Sequence, residues 1–142
     1  MVHALDEVRR VLIPRGLLID LRPLDDRWPV QMVAGKRVEQ VGRMADHEIG
    51  LADDQASNGA IDQARANGWF QQEEQVIFPF FYYWDTPSEM KQHIDEEWSD
   101  WNVLEADTFR AAGAAWASGG PEARVRVQLK MVITRWRKLP AG

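Results

Sequence analysis

The stretch that decides the fold is EVRRVLIPRGLLI, residues 7–19. It begins inside an amphipathic helix predicted over residues 4–13, whose apolar side chains recur at steps of three and four. Pro14 ends this helix, because the residue before a proline is pushed out of the helical region. A turn through Gly16 then leads into a strand predicted over residues 17–21, which is apolar enough to be covered on both faces. The sequence therefore predicts a helix, a tight turn and a buried strand in succession.

The middle of the chain predicts one helix and one long strand. Residues 53–67 have helical spacing of small and apolar side chains, and Gly68 is a plausible left-handed stop. Aromatic and β-branched residues dominate a strand over about residues 69–84. Pro79 donates no ladder hydrogen bond, so this strand is expected at a sheet edge or with a bulge. Two shorter strands are candidates earlier in the chain, at residues 31–34 and 37–41.

A helical insertion is predicted over about residues 86–117, between the long strand and the last one. Its first helix, residues 87–101, starts with Thr86 as the cap, and Glu89 can complete a capping box. Its second helix, residues 105–117, stops at the Gly-Gly-Pro that follows. The residues of the first helix expected to face inward are Met90, Ile94, Trp98 and Trp101.

The last predicted element is a strand over about residues 123–137. Odd-numbered residues from Val125 to Ile133 are all apolar, and they alternate with mostly polar even-numbered residues. This period of two is typical of a half-exposed or edge-adjacent strand.

Composition indicates a globular protein. The chain has 142 residues, so residues 1–142 are expected to form a single domain. Lys plus Arg is 17 and Asp plus Glu is 22, and the resulting charge of −5 argues against a nucleic-acid partner. No apolar run approaches the roughly 20 residues that span a bilayer, and the start does not resemble a signal peptide. Without cysteine there are no disulfides or thiolate metal sites, and the expected location is the cytoplasm.

The quoted stretch resembles a motif of class I S-adenosylmethionine-dependent methyltransferases, in which a helix ending E-x-x-R-V-L-K-P-G-G leads into the fifth strand. The match runs from Glu7 to Gly16, and the order of predicted elements after it is similar to the final third of that family. The resemblance implies an α/β, partial Rossmann-like methyltransferase fold with a small mixed sheet, in which the last two strands form an antiparallel hairpin. The strands of that sheet are expected at residues 17–21, about 69–84 and about 123–137.

The sequence departs from the family in two residues of the motif and in one larger part. Ile13 replaces the usual lysine, and Arg15 replaces the first glycine, which favours a type I turn. The family's cofactor site uses a first strand, a glycine-rich turn and an acid ending the second strand, and this sequence has no such region. Binding of S-adenosylmethionine is therefore not expected, and no catalytic, cofactor-binding or metal-binding residue is predicted.

Aromatic residues in and before the insertion are the candidates for a ligand pocket. The candidate set is Tyr82, Tyr83, His93, Trp98 and Trp101. A pocket lined by large rings suits a small organic ligand. Core packing is the alternative, and it explains most of the seven tryptophans, because each of them buries a large area.

Polar clusters have plainer interpretations. Asp95, Glu96, Glu97 and Asp100 form either a site for a cation or basic partner, or a solvated helix face, which is favoured because consecutive positions point in different directions. No two of the three histidines share helical spacing, so they predict no metal site. Asp20, inside the apolar strand, needs either a partner such as an arginine or exposure at an open face.

The expected function is that of a methyltransferase-like protein without its own cofactor site, non-catalytic alone and dimeric. Because the family's fourth strand has no counterpart here, strand 17–21 is left with an unpaired apolar edge, which a second copy would cover by pairing across a two-fold axis. The alternative is a fragment or half of an active S-adenosylmethionine-dependent methyltransferase, completed by upstream sequence or another chain. No nucleic acid, no membrane and no particular small molecule is predicted as a partner.

Overall fold

The computed structural model describes residues 2–24 and 26–140, which form a mixed α/β structure. The helices are α1 (Val2–Val11), α2 (Glu48–Ala66), α3 (Pro87–His93) and α4 (Ala106–Ser118), with a π-helical turn at Ile94–Trp98. The strands are β1 (Leu17–Leu24), β2 (Pro29–Ala34), β3 (Arg37–Arg43), β4 (Ala45–Asp46), β5 (Phe70–Trp84), β6 (Asn102–Val103) and β7 (Arg124–Lys138). The helices and strands predicted from the sequence are present with shifted ends, and β4 and β6 were not predicted.

Five of these strands form one mostly antiparallel sheet. Its order is β1-β7-β2-β3, and β5 also pairs with β7. In this sheet β2 pairs antiparallel with β3 and, from Val30 to Val33, with the start of β7. Among the described strands β5 pairs with β7 alone, which confirms the edge position predicted from Pro79. The strand β7 lies beside β5 and is therefore edge-adjacent, as its alternation predicts.

The chain divides into two compact units. Unit 1 comprises Met1–Leu24, Ala52–Phe78 and Met131–Gly142, and unit 2 comprises Asp25–Leu51 and Pro79–Lys130. The long strands β5 and β7 each contribute residues to both units. The expectation of a single domain stays a prediction.

The core of unit 1 lies around Ala64, Phe70 and Trp136. The residues that pack against this core include Leu5, Val8 and Leu12 of α1 and Leu18 of β1. The prediction that β1 is covered on both faces is wrong, because its alternate residues face away from this core. These are Leu17, Ile19 and Leu21, which are 45%, 53% and 55% exposed.

The turn between α1 and β1 forms where the sequence predicts it, but its type is different. The amide of Gly16 donates to the carbonyl of Ile13 at 2.9 Å, which closes a four-residue turn. Arg15 has a φ of +62° at the third position. That conformation defines a type II turn, so the predicted type I turn is wrong and Arg15 takes the backbone conformation that favours glycine.

Asp20 has the arginine partner that burial in a strand requires. Both of its carboxylate oxygens accept from Nε of Arg22 at 2.9 Å, and the pair is partly buried. Arg22 also donates to the side-chain carbonyl of Asn58 at 2.8 Å. The first of the two expectations for Asp20 is therefore confirmed.

One hydrophobic cluster of unit 2 lies where α4 packs on β2 and β3. Met32, Ala115 and Ala123 form its centre, with Trp116 packed against them. At Gly42 an added Cβ would lie 2.5 Å from the hydroxyl of Thr108, so glycine permits this close approach. The insertion is thus anchored on the sheet through its second helix.

Burial along β7 changes phase. Val125, Val127 and Leu129 are buried, as predicted, but beyond them Val132 and Thr134 are buried to 3% and 1% exposure. The alternation of apolar residues over 125–133 therefore does not describe the burial of β7 beyond Leu129. Thr134 is tolerated there because its hydroxyl accepts a hydrogen bond from Gln75 at 3.0 Å.

Candidate functional site

The helix α3 starts directly after β5, and its capping residues fix that start. Thr86 accepts a hydrogen bond from the amide of Glu89 at 3.2 Å, and Pro87 occupies the first turn. The Glu89 carboxylate reaches back to the amide of Asp85 at 3.2 Å, one residue earlier than a standard capping box. The predicted helix start is confirmed, and it places α3 next to the aromatic end of β5.

A π-helical turn continues α3, so the predicted α-helix over 87–101 is wrong beyond His93. Residues five apart on an α-helix point about 140° away from each other, since each residue turns the chain by about 100°. The wider π turn at Ile94–Trp98 brings the rings of His93 and Trp98 to 5.6 Å between centroids. Such turns occur frequently at functional sites.

The rings at the end of β5 and on this turn form an aromatic cluster. Tyr82 and Trp84 are two residues apart and therefore share one face of β5, with stacked rings 6.0 Å apart. Trp98 lies 5.1 Å from Tyr82 and 5.8 Å from Trp84, in edge contacts. His93 completes the group at 5.9 Å from Tyr82 and 5.5 Å from Trp84. Trp28 also makes an edge contact with Trp98, with 6.1 Å between the ring centroids.

A depression of about 710 Å³ opens beside this cluster, and we call it the aromatic pocket. Its lining residues are Tyr82, Trp84, Glu89, Gln92, His93, Glu96, Glu97, Trp98 and Trp101. The volume lies in the range of sites for small organic ligands. Trp84 is buried, whereas Tyr82 and Trp101 are 37% and 47% exposed, so these two rings offer accessible surface.

Trp101 follows the π turn and is held through its backbone. Its carbonyl accepts from the amide of His47 at 2.9 Å, and its own amide donates to the carbonyl of Trp98 at 2.9 Å. At Gly50 an added Cβ would lie 2.9 Å from both Cα and the carbonyl oxygen of Trp101. The expected burial of Trp101 is wrong, because it lies in the turn after the helix and its ring stays exposed.

Three carboxylates lie on the lining of the aromatic pocket. Glu89 uses one oxygen for the Asp85 amide, and Glu96 accepts from Gln92 at 3.1 Å. Glu97 has no ion pair or hydrogen bond within the described residues. No lysine or arginine is among the described residues that line the pocket. The lining is therefore acidic and carries uncompensated negative charge.

The acidic cluster after α3 is divided between two environments. Asp95 pairs with Lys91, one turn earlier, and that ammonium also lies 5.9 Å from the ring of Phe109. Glu96 and Glu97 instead line the aromatic pocket. No group of three or more ligating side chains suited to a metal ion is found within residues 2–24 and 26–140.

The structure brings together four of the five residues in the predicted pocket. Tyr82, His93, Trp98 and Trp101 line it, and Tyr83 does not, because it faces the other side of β5. The sequence analysis missed Trp84, although its spacing of two from Tyr82 on a strand was the signal that could have found it. The sequence analysis named Glu96 and Glu97 in an acidic cluster, with a cation site as the less favoured interpretation, and did not place them in this pocket. It gave Glu89 only a capping role and missed Gln92.

Tyr83 belongs to a second aromatic group on the opposite face of β5. The guanidinium carbon of Arg126 lies 4.2 Å from the ring centroid of Phe81 and 5.6 Å from that of Tyr83. Arg126 also donates to the Tyr83 hydroxyl at 2.8 Å, and Arg124 lies 4.9 Å from the Tyr83 ring. On this face the protein itself supplies cations to the rings.

Two pKa shifts lie in unit 1, at Glu73 and Arg137. A hydrogen bond from Arg137 lowers the pKa of Glu73, with a further contribution from the charge of Arg135. The same hydrogen bond raises the pKa of Arg137. Both arginines form ion pairs with Glu73, so these shifts indicate a structural ion-pair group.

Comparison with protein-family models, curated proteins and solved structures finds no match for this chain. The methyltransferase resemblance therefore stays a prediction that rests on residues and element order. Within the described residues, no helix has the length and apolar character needed to cross a membrane.

Proposed function

We propose that this chain is a methyltransferase-like binding module, non-catalytic by itself, whose ligand site is the aromatic pocket. The observation that carries this proposal is the meeting of Tyr82, Trp98 and Trp101 at an open depression of about 710 Å³. Two of these rings stay exposed although each could bury a large area. Exposed large rings around a concavity are typical of binding sites.

The strand order supports the methyltransferase-like part of the proposal. In the family that the sequence resembles, the fifth strand lies beside the last strand, and the last strand pairs with the sixth. Here β1 pairs with β7, and β7 pairs with β5. The positive φ of Arg15 is further support, because the family has glycine at that position of the turn.

A homodimer is part of the proposal. The strand β1 lies at one end of the sheet order, and Leu17, Ile19 and Leu21 are about half exposed. Edge strands with exposed apolar side chains favour pairing with another chain. We propose that two copies of β1 meet across a two-fold axis, and that the dimer is cytoplasmic. A light-scattering measurement that gives the mass of a stable monomer at micromolar protein concentration would contradict the proposed dimer.

The same edge supports a second candidate function. A strand from upstream sequence or from another chain could pair with β1 and complete an active S-adenosylmethionine-dependent methyltransferase. In that case the aromatic pocket would serve the methyl acceptor. The two candidates differ in what this chain binds alone: the first requires a ligand without cofactor, and the second requires the missing partner for activity.

The experiment for the proposed function is an NMR titration of isotope-labelled protein with a panel of small amines, neutral alcohols and carboxylates. At least one compound is expected to shift the indole signals of Trp98 and Trp101 and to leave that of Trp136 unchanged. The matched control is Trp101→Leu, which removes an exposed ring of the pocket. A panel in which no compound shifts these signals would overturn the assignment of a binding site.

The cofactor expectation is tested by calorimetry with S-adenosylmethionine. We expect no saturable binding at a nucleoside site in this chain alone. S-adenosylmethionine carries positive groups that the aromatic pocket itself could attract, so Trp101→Leu separates the two sites. Binding that persists unchanged in this variant would contradict the absence of a cofactor site.

A further inference from the structure

We propose that the ligand of the aromatic pocket is an organic cation, of the substituted-ammonium class. This inference rests on the proposed function and narrows it from any small molecule to one chemical class. It combines the ring faces, the carboxylates and the free volume of the same pocket.

The ring faces supply the first part of the recognition. A cation within about 6 Å of a Trp or Tyr ring centroid is attracted by the negative face of the ring. Tyr82 and Trp101 are the exposed rings of the pocket, and Trp98 is half-buried in contact with Tyr82 and Trp28. Contact between these rings and methyl or methylene groups on an ammonium nitrogen also removes apolar surface from water, which favours binding.

The carboxylates supply the second part. Glu96 and Glu97 follow one another on the π turn, and Glu89 lies in the first turn of α3. All three line the pocket, and Glu97 has no cationic partner within the described residues. The nearby Lys91 is paired with Asp95 instead. An anionic ligand would be repelled by these carboxylates. A neutral ligand would leave the negative charge of the carboxylates unbalanced.

The histidine in the pocket does not remove the need for an external cation. His93 packs among the rings of Tyr82, Trp84 and Trp98, all within 6 Å. Even a protonated His93 would balance one of the three carboxylates. The pocket therefore keeps a net negative charge in either state of this side chain.

Choline is the probe for the test, and its neutral carbon isostere dimethylbutanol is the matched control compound. We expect choline to shift the indole signals of Trp98 and Trp101 in a saturable manner. The isostere has the same shape without the charge, and we expect it to bind about tenfold more weakly, because the ring faces and the carboxylates attract only the charged compound. Added salt is expected to weaken the binding of choline and not that of the isostere.

Two substitutions locate the charge recognition. Glu97→Gln is expected to weaken choline binding about threefold to fivefold, because it removes one carboxylate from a solvent-exposed position. The matched control is Glu105→Gln, which changes the net charge equally at an exposed position outside the pocket and is expected to have no effect. Equal effects of both variants would indicate a general charge effect and would overturn the proposal.

The outcomes separate this inference from the proposed function. Equal affinity for choline and dimethylbutanol, or binding of a carboxylate from the panel, would overturn the proposal of an organic cation. The proposal that the aromatic pocket is a binding site would still stand. Failure of every compound to shift the two indole signals would overturn both. Saturable binding of choline that is weakened by Glu97→Gln and not by Glu105→Gln supports both.

Discussion

The two faces of β5 near its end carry similar rings and opposite charge. On one face Phe81 and Tyr83 lie against Arg126, whose guanidinium carbon is 4.2 Å from the Phe81 centroid. On the other face Tyr82 and Trp84 line a pocket with three carboxylates. The first face has its cation within the chain, and the second has carboxylates and open volume. The proposed organic cation would complete the second face, as Arg126 completes the first.

The largest expected effect is that of Trp98→Ala, which removes the ring that contacts the other rings of the aromatic cluster. Trp98 contacts Trp28, Tyr82, Trp84 and His93, so its loss leaves a cavity among four rings. We expect a loss of about 2 to 4 kcal/mol in the free energy of unfolding, measured by urea denaturation. Trp101→Ala is the control, and its ring is more exposed, so it should cost less than about 1 kcal/mol. Equal losses would contradict the supporting role of Trp98.

The next effect concerns the face that contains its own cation. Arg126→Gln removes the guanidinium from both rings and its hydrogen bonds to Tyr83 and to Gln31. We expect a loss of about 1 to 2 kcal/mol in the free energy of unfolding. Choline binding in the aromatic pocket should stay within about twofold, because the arginine lies on the opposite face. A large drop in choline affinity in this variant would break the distinction between the two faces.

Gly50→Ala tests how the exposed ring of the pocket is positioned. The added Cβ would lie 2.9 Å from the backbone of Trp101, which cannot yield as a flexible side chain does. We expect a loss of about 1 kcal/mol in the free energy of unfolding and about threefold weaker choline binding.

Gly59→Ala in the same helix is the control for Gly50→Ala. Its added Cβ would meet no atom within 4 Å, so it should stabilise the protein by about 0.5 kcal/mol through helix propensity. Stabilisation by both substitutions would show that the contact between Gly50 and Trp101 does not constrain the pocket.

The smallest expected effect concerns the turn after α1, in unit 1. Arg15→Gly relieves a left-handed backbone conformation, so we expect a gain of about 0.5 kcal/mol in the free energy of unfolding and unchanged choline binding. Arg15→Ala keeps a Cβ atom, which is what makes the left-handed conformation costly, so it should not raise the free energy of unfolding. Stabilisation by alanine as large as by glycine would argue against the strained turn.

Local signals in the sequence were sufficient for most of the helices and strands. Pro14, Thr86 and Gly68 act on their own neighbours, so their boundaries could be predicted from stereochemistry alone. The burial of β7 could not be predicted in this way, because Val132 and Thr134 are covered by tertiary packing, which the alternation of residue types does not reveal. The turn at Arg15 was predicted in position and not in type, since Arg15 takes a φ of +62°, which arginine disfavours and which its residue type therefore does not predict.

The candidate site was predictable only in part, for a similar reason. Aromatic composition pointed to Tyr82, His93, Trp98 and Trp101, and strand alternation could have added Trp84 and removed Tyr83. The π turn has no sequence signature of this kind, yet it decides that His93 and Trp98 share a side. Glu96 and Glu97 lie on this turn and Glu89 lies on α3, so the sequence could offer Glu96 and Glu97 as an acidic cluster but could not place the three carboxylates beside the rings.

The most direct test of the account is a crystal structure of the protein grown with choline at a concentration well above its dissociation constant in solution. We expect the choline nitrogen in the aromatic pocket, within about 6 Å of the ring centroids of Tyr82, Trp98 or Trp101 and on the side of Glu97. Choline on the face of Phe81 and Tyr83, or an empty aromatic pocket at that concentration, would contradict the account.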